Sequence, residues 1–362
     1  MSISPITRNI SLRGKAVVGL AISAFCLVFP ALAQEAPPRS KQAREKATAQ
    51  ATLWHDPTDL ESRDLYYGPG GKQDAPGGTV FTYEKEVLKG TNPKFDVRDP
   101  DGVRWRVKLG PEAQPETVAA RLLWAVGYFT DEDYFLPEIQ VRGMQPVSKK
   151  RQKRIQGLLE SDGTMHNVRL KRHVLKKVGV WQWKRDPFAG TREWNGLRVM
   201  MALMNNWDLK DENNSIYAAK EHHNPQELRS GDSELLYVVS DLGASFGTAG
   251  RVRDPVIAKG NLESYRRSRF ICGIHPQYVD FCVPARESWV LAVNPKEYTG
   301  RLKLNWIGKH IPRSDVRWIG QLLARLSPGQ IQDAFRAAGY SPQQLDAFSQ
   351  VLLQRIAELN DL

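Results

Sequence analysis

The sequence runs to 362 residues, with 41% hydrophobic and 25% charged side chains and a formal charge of +11. That is enough apolar material to bury a sizeable core, in one two-lobed domain or in two domains. The basic balance favours phosphorylated, acidic or anionic-lipid partners, and nucleic acid is set aside because the N-terminus predicts export.

Arg8, Arg13 and Lys15 precede an apolar run from Ala16 to Pro30 that ends in Ala31-Leu32-Ala33. A basic start, an apolar middle and an Ala-x-Ala site predict a cleavable signal peptide over residues 1–33, and hence a periplasmic or extracellular protein. An uncleaved membrane anchor is the alternative, because the run approaches spanning length. Phe25, just before Cys26, is too bulky for a lipoprotein site. Cleavage removes three positive and no negative charges and leaves +8. Only Cys272 and Cys282 then remain, which in an oxidising compartment predicts one disulfide, with two buried thiols as the other reading.

Residues 34–75 predict a flexible linker, broken by Gly68-Pro69-Gly70-Gly71 and Pro76-Gly77-Gly78. Trp54, Leu60, Leu65, Tyr66 and Tyr67 within it are placed to pack on the folded part. A β-rich region is expected over 76–184, connector included. Its strands start near Val80, and Asp99-Pro-Asp-Gly102 turns a hairpin into Val103 to Leu109. In that second strand Val103, Trp105, Val107 and Leu109 face one way, and Arg104, Arg106 and Lys108 the other. A helix follows, with Val118, Ala119, Leu122, Leu123 and Val126 at helical spacing and Gly127 as its C-cap. Lys149-Lys-Arg-Gln-Lys-Arg154 predicts a solvated face, or a contact with an acidic partner or an anionic membrane surface.

A mainly helical region is expected over 185–362. It opens at Thr191, an N-cap for the helix of Trp194 to Met204, and closes with helices near 316–326, 328–338 and 341–359. His222-His223 falls in a polar loop expected to face solvent. There is no His-Glu-x-x-His, no Gly-x-Ser-x-Gly and no spare Cys for a nucleophile.

Within the second region Asp208-Leu-Lys210-x-x-Asn213 has the spacing of a phosphoryl-transfer loop. Such chemistry needs an acceptor hydroxyl oriented by an Asp, phosphate charge steadied by a Lys, and oxygen donors for a divalent cation. Ser240-Asp241-Leu242-Gly243 follows the apolar strand Leu235 to Val239 and supplies a second acidic ligand. A strand hairpin from Ser215 to Val239 would return Asp241 beside Asn213. Lys108 is the candidate phosphate anchor, with Glu116 as its pairing acid and Glu112 as competitor.

Asp208-Leu-Lys210-x-Glu-Asn213 and Asp241-Leu-Gly243, preceded by Lys108, resemble the protein-kinase-like superfamily. Asn206, Asn214, Tyr217 and Asp241-Leu-Gly-Ala-Ser-Phe-Gly247 are similar in style to its atypical bacterial branches, the CotH-type spore-coat kinases and the HipA-type kinases. The secretory-pathway kinases are similar in location. The resemblance spans about residues 80–250.

It implies an α+β fold with a β-rich N-lobe and a mainly helical C-lobe, and ATP and Mg²⁺ as cofactors. Asp208 would be the base and Lys210 its catalytic companion. Asn213 and Asp241 would be the metal ligands, and Lys108 with Glu116 the nucleotide contact. The acceptor would be a hydroxyl of an envelope protein or small molecule. AMP transfer from the same pocket and a catalytically inactive pseudokinase stay open. The chain departs from the pattern in having no Gly-x-Gly-x-x-Gly, with Lys89 to Lys94 as the candidate covering loop, and in having Asn206-Trp207 before Asp208.

Overall fold

The computed structural model describes residues 51–90, 92–173, 176–219, 234–248, 259–282 and 290–362. The predicted signal segment with Cys26, linker residues 34–50 and His222-His223 lie outside them. The content is mixed α+β. Among the described residues no helix is long and apolar enough to cross a membrane.

The described chain opens with β1 (Ala51–Thr52), which runs parallel to a strand nearly two hundred residues downstream, with Ala51 opposite Leu235. Leu53, Leu60 and Leu65 are buried in the larger of two main hydrophobic cores. Residues 51–75 therefore do not behave as the predicted linker. Their glycine-punctuated path is fixed by tertiary contacts, because Leu53, Leu60 and Leu65 all join the larger core.

Next comes a closed barrel. Its strands are β2 (Val80–Glu86), β3 (Lys94–Arg98), β4 (Arg104–Leu109), β5 (Asp133–Arg142) and β6 (Thr164–Arg172), in spatial order β2-β3-β4-β6-β5. Strand alternation explains it. Phe95, Val97, Trp105, Val107, Val168 and Leu170 point inward and form the second core. Lys108 belongs to the opposite face, where Lys94 of β3 and Arg169 of β6 are its direct cross-strand neighbours. Helix α1 (Ala113–Ala125) connects β4 to β5 and packs its apolar stripe into the larger core. Gly127, at φ 95°, lets the chain turn away just after it.

β7 (Lys176–Gly179), β8 (Asn214–Ala219) and β9 (Glu234–Val239) form a sheet ordered β1-β9-β8-β7. β8 and β9 are antiparallel, with Asn214 opposite Val239. Helix α2 (Arg192–Leu203) precedes β8, and the Thr191 hydroxyl caps its start by accepting from the Trp194 N–H. α3 (Leu262–Arg267) leads to β10 (Ile271–Ile274) and β11 (Tyr278–Phe281), whose hairpin is closed by the Cys272–Cys282 disulfide.

After α4 (Pro295–Leu302) and β12 (Ile311–Pro312) come α5 (Arg313–Ala324), α6 (Pro328–Ala337) and α7 (Pro342–Asn360). Capping boxes at Ser327/Gln330 and Ser341/Gln344 start the last two helices. The region expected to be mainly helical thus carries five strands among its described residues.

Candidate active site

The β8–β9 hairpin brings Asn213 and Asp241 to one end of the sheet, since they flank the Asn214–Val239 pair. Both line a cavity of about 1100 Å³, together with Glu116, Lys94, Arg169, Lys89 and Gly90. This volume is at the upper end of what small-ligand sites occupy.

Lys108 lies against the same group of residues, fully buried. Its ammonium has three donors and meets three carboxylates: Glu112 Oε2 at 2.5 Å, Glu116 Oε2 at 2.7 Å and Asp241 Oδ1 at 2.5 Å. The two acids that compete for Lys108 on sequence grounds both reach it. Burial alone would lower the Lys108 pKa, but Glu116, Asp241 and Glu112 outweigh it and raise the value above that of an ordinary lysine. Burial also works against charge on Asp241, yet Lys108 and Lys94 hold its carboxyl well below the usual range. Glu112 is likewise held at about 2, with Lys108 and then Lys259 overcoming its desolvation. Arg169 extends the network by bonding Glu116 Oε1 at 3.0 Å and Asp133 Oδ1 at 3.3 Å. Burial lifts the Asp133 carboxyl to about 7 against the pull of Arg169.

Ligand oxygens of Glu112, Glu116 and Asp241 lie within 4.8 Å of one another, as in a metal cluster. The Lys108 ammonium already lies against all three, which leaves the second oxygen of Asp241 and the amide oxygen of Asn213, both on the cavity wall, as candidate donors to a divalent cation. The Asn213 amide N–H donates to the Asp208 carbonyl at 2.6 Å, which leaves the amide oxygen for a hard cation. Asp241 itself holds a left-handed φ of 55°, uncommon for a non-glycine residue and frequent at functional loops. Its companion Gly243 is required by space, because a Cβ there would stand 2.5 Å from Glu112 Cβ.

The Asp208 loop is built differently. Asn206 Oδ1 accepts from the Asp208 N–H at 2.9 Å, and Trp207 N–H bonds the Ala244 carbonyl at 3.3 Å, tying this loop to the one after Asp241. Asp208 Oδ1 lies 2.9 Å from Lys210 Nζ and 3.6 Å from Arg301 Nη2, and its side chain keeps 27% exposure. Neither Asp208 nor Lys210 lines the cavity. The structure therefore brings Glu116, Asp241 and Asn213 to one cavity with Lys108 buried behind the acids, and leaves Asp208 and Lys210 out of the lining.

No family model matches the sequence, and no curated protein matches it. Among solved structures, the Helicobacter pylori proinflammatory kinase CtkA aligns with a TM-score of 0.42 and 12% identity, over 78% of this chain and 95% of that one.

Several site residues escape a reading of the sequence. Arg301 reaches the Trp207 carbonyl from α4. Arg151 is not part of a solvated basic face: it is buried and donates to the carbonyls of Val87 and Gly90. It thereby anchors the candidate covering loop, while Lys149, Lys150, Lys153 and Arg154 are exposed. Lys94 and Arg169 are visible only through strand register.

Proposed function

We propose that the chain is a two-lobed, protein-kinase-like phosphotransferase that moves a phosphoryl group from Mg²⁺-ATP to a hydroxyl. The carrying observation is the Lys108 ammonium joined to Glu116 of α1 and to Asp241, 133 positions along, beside a cavity that Asn213 also lines. Loose transition states of phosphoryl transfer ask the protein chiefly for positioned charge, and this is an array of positioned charge. Asp241 and Asn213 would hold the cation, which when bound supplies neutralisation of phosphate charge. Asp208 would orient the acceptor hydroxyl and take its proton, with Lys210 and Arg301 fixing the carboxylate. Export through residues 1–33, an envelope acceptor and a membrane contact through the exposed lysines of Lys149 to Arg154 belong to the same reading. So does kinship with the CotH-type and HipA-type branches.

A second reading, a nucleotide-binding module without turnover, is favoured by the pairing of Asp208 with Lys210 and Arg301 outside the cavity wall. Thermal melting separates the possibilities. ATP with Mg²⁺ at 100 times its dissociation constant stabilises the protein by about 2.7 kcal/mol if the cavity takes the nucleotide. Asp208→Asn then lowers phosphate incorporation by about 10²–10⁴-fold with the melting shift retained. A shift without incorporation in the unaltered protein selects the module, incorporation of AMP selects the adenylyl-transfer variant, and no shift with any nucleotide rejects all three.

A further inference from the structure

We propose that Lys94, rather than Lys108, supplies the ammonium that grips the phosphate chain of the nucleotide; the assignment rests on the nucleotide reading above. An ammonium has three N–H donors; Lys108 donates to Glu116 and Asp241, and a third carboxylate, Glu112, stands 2.5 Å from its nitrogen. Lys108 is fully buried and does not reach the cavity wall. A phosphate oxygen arriving in the cavity would have to displace one of these carboxylates to reach it.

Lys94 stands directly opposite Lys108 across the β3–β4 ladder, so both side chains leave the same face of the barrel. It lines the cavity and, among the described residues, makes no ion pair. Its Nζ reaches under the candidate covering loop, where a Cβ added at Gly90 would lie 3.6 Å from it. That loop is pinned by Arg151 through the carbonyls of Val87 and Gly90, so the ammonium has a fixed roof.

The electrostatics agree with the geometry. Burial, and then repulsion from Lys108, lower the Lys94 pKa, and Asp241 and Glu116 only partly offset this. A half-buried cation with a cationic neighbour and no bonded anion is completed by an incoming anion, and a polyphosphate brings several negative oxygens. The row Lys94, Lys108 and Arg169 thus divides its labour: the last two hold the acids of the site together, and the first faces the ligand.

The test is calorimetric binding of ATP, adenosine and inorganic tripolyphosphate, with Mg²⁺, to the full chain and to Lys94→Met and Lys94→Arg. The expected result is a loss of about 10-fold or more in ATP and tripolyphosphate affinity in Lys94→Met. Lys94→Arg recovers part of it, and adenosine binding is unchanged. Equal ATP affinity in the unaltered protein and Lys94→Met overturns the assignment, leaves the nucleotide reading standing, and points to a cation that draws Asp241 away from Lys108. Tripolyphosphate binding that depends on Lys94, in a protein that ignores adenosine and ATP, keeps the anion site and removes the nucleotide. A protein that binds none of the three overturns both. Lys94→Arg keeps the charge, so its melting curve separates a binding loss from misfolding.

Discussion

The two ends of the candidate site carry the same kinds of groups and treat them in opposite ways. At Lys108 a fully buried ammonium meets three carboxylates, of which Glu112 and Glu116 are buried and Asp241 is partly exposed. At Asp208 the neighbouring ammonium is the exposed group, since Lys210 keeps half of its side chain in water, with Arg301 3.6 Å from the carboxylate. Charges removed from water must be paired, and losing one partner strands the others. Charges left at the surface are screened by water and are free to exchange partners. The first end is therefore held together by its buried cation, and the second rests on an ion pair that water can replace.

Replacing a partner at the closed end is the harshest way to break this contrast. Lys108→Met should destabilise the fold by about 3–5 kcal/mol, because three acids lose their common cation. Denaturant or thermal unfolding checks it, and a loss below about 1 kcal/mol would mean that the acids do not depend on their shared cation.

Acid should sharpen the contrast next. The Glu112 carboxyl is held at about 2 against an ordinary value of 4.5, so its contribution is present above 4.5 and is lost as pH falls through about 2. That interval corresponds to about 3 kcal/mol. Melting temperature followed from pH 6 to pH 2 should fall less steeply in Glu112→Gln than in the unaltered chain, and identical slopes would contradict the assigned pairing.

The smallest effect belongs to the open end. Lys210→Ala should change stability by under about 1 kcal/mol, as surface ion pairs do, while lowering transfer if Lys210 steadies phosphate charge. A large stability loss there would erase the distinction between the two ends.

Much of the closed end is legible in the sequence because order along the chain carries it. A strand ending in Lys108, a helix opening near Glu116 and a strand ending before Asp241 are local patterns. The hairpin that sets Asn213 near Asp241 also follows from two short strands. The burial of Lys108 and the cation row are not legible, since a single strand does not announce which neighbour it pairs with or in what register. Arg301 is hidden for a similar reason: it lies on a short helix more than ninety positions from the loop it holds. Residues 51–75 mislead in the other direction. Their glycines and prolines read as breaks, and three leucines without a period give no sign that all of them are buried in the larger core.

That early segment also grips the far end of α1. Trp54 Nε1 bonds the Val126 carbonyl at 2.6 Å, Arg63 bonds the Trp124 carbonyl at 2.5 Å, and Gln330 bonds the carbonyls of Leu60 and Arg63 at 2.9 and 3.0 Å. A fragment trimmed to the first barrel strand would unroof leucine sockets and unclamp the helix that delivers Glu116. Recombinant versions should therefore begin upstream of Ala51, and a protease that severs the chain between there and Gly78 would act on the site from a distance.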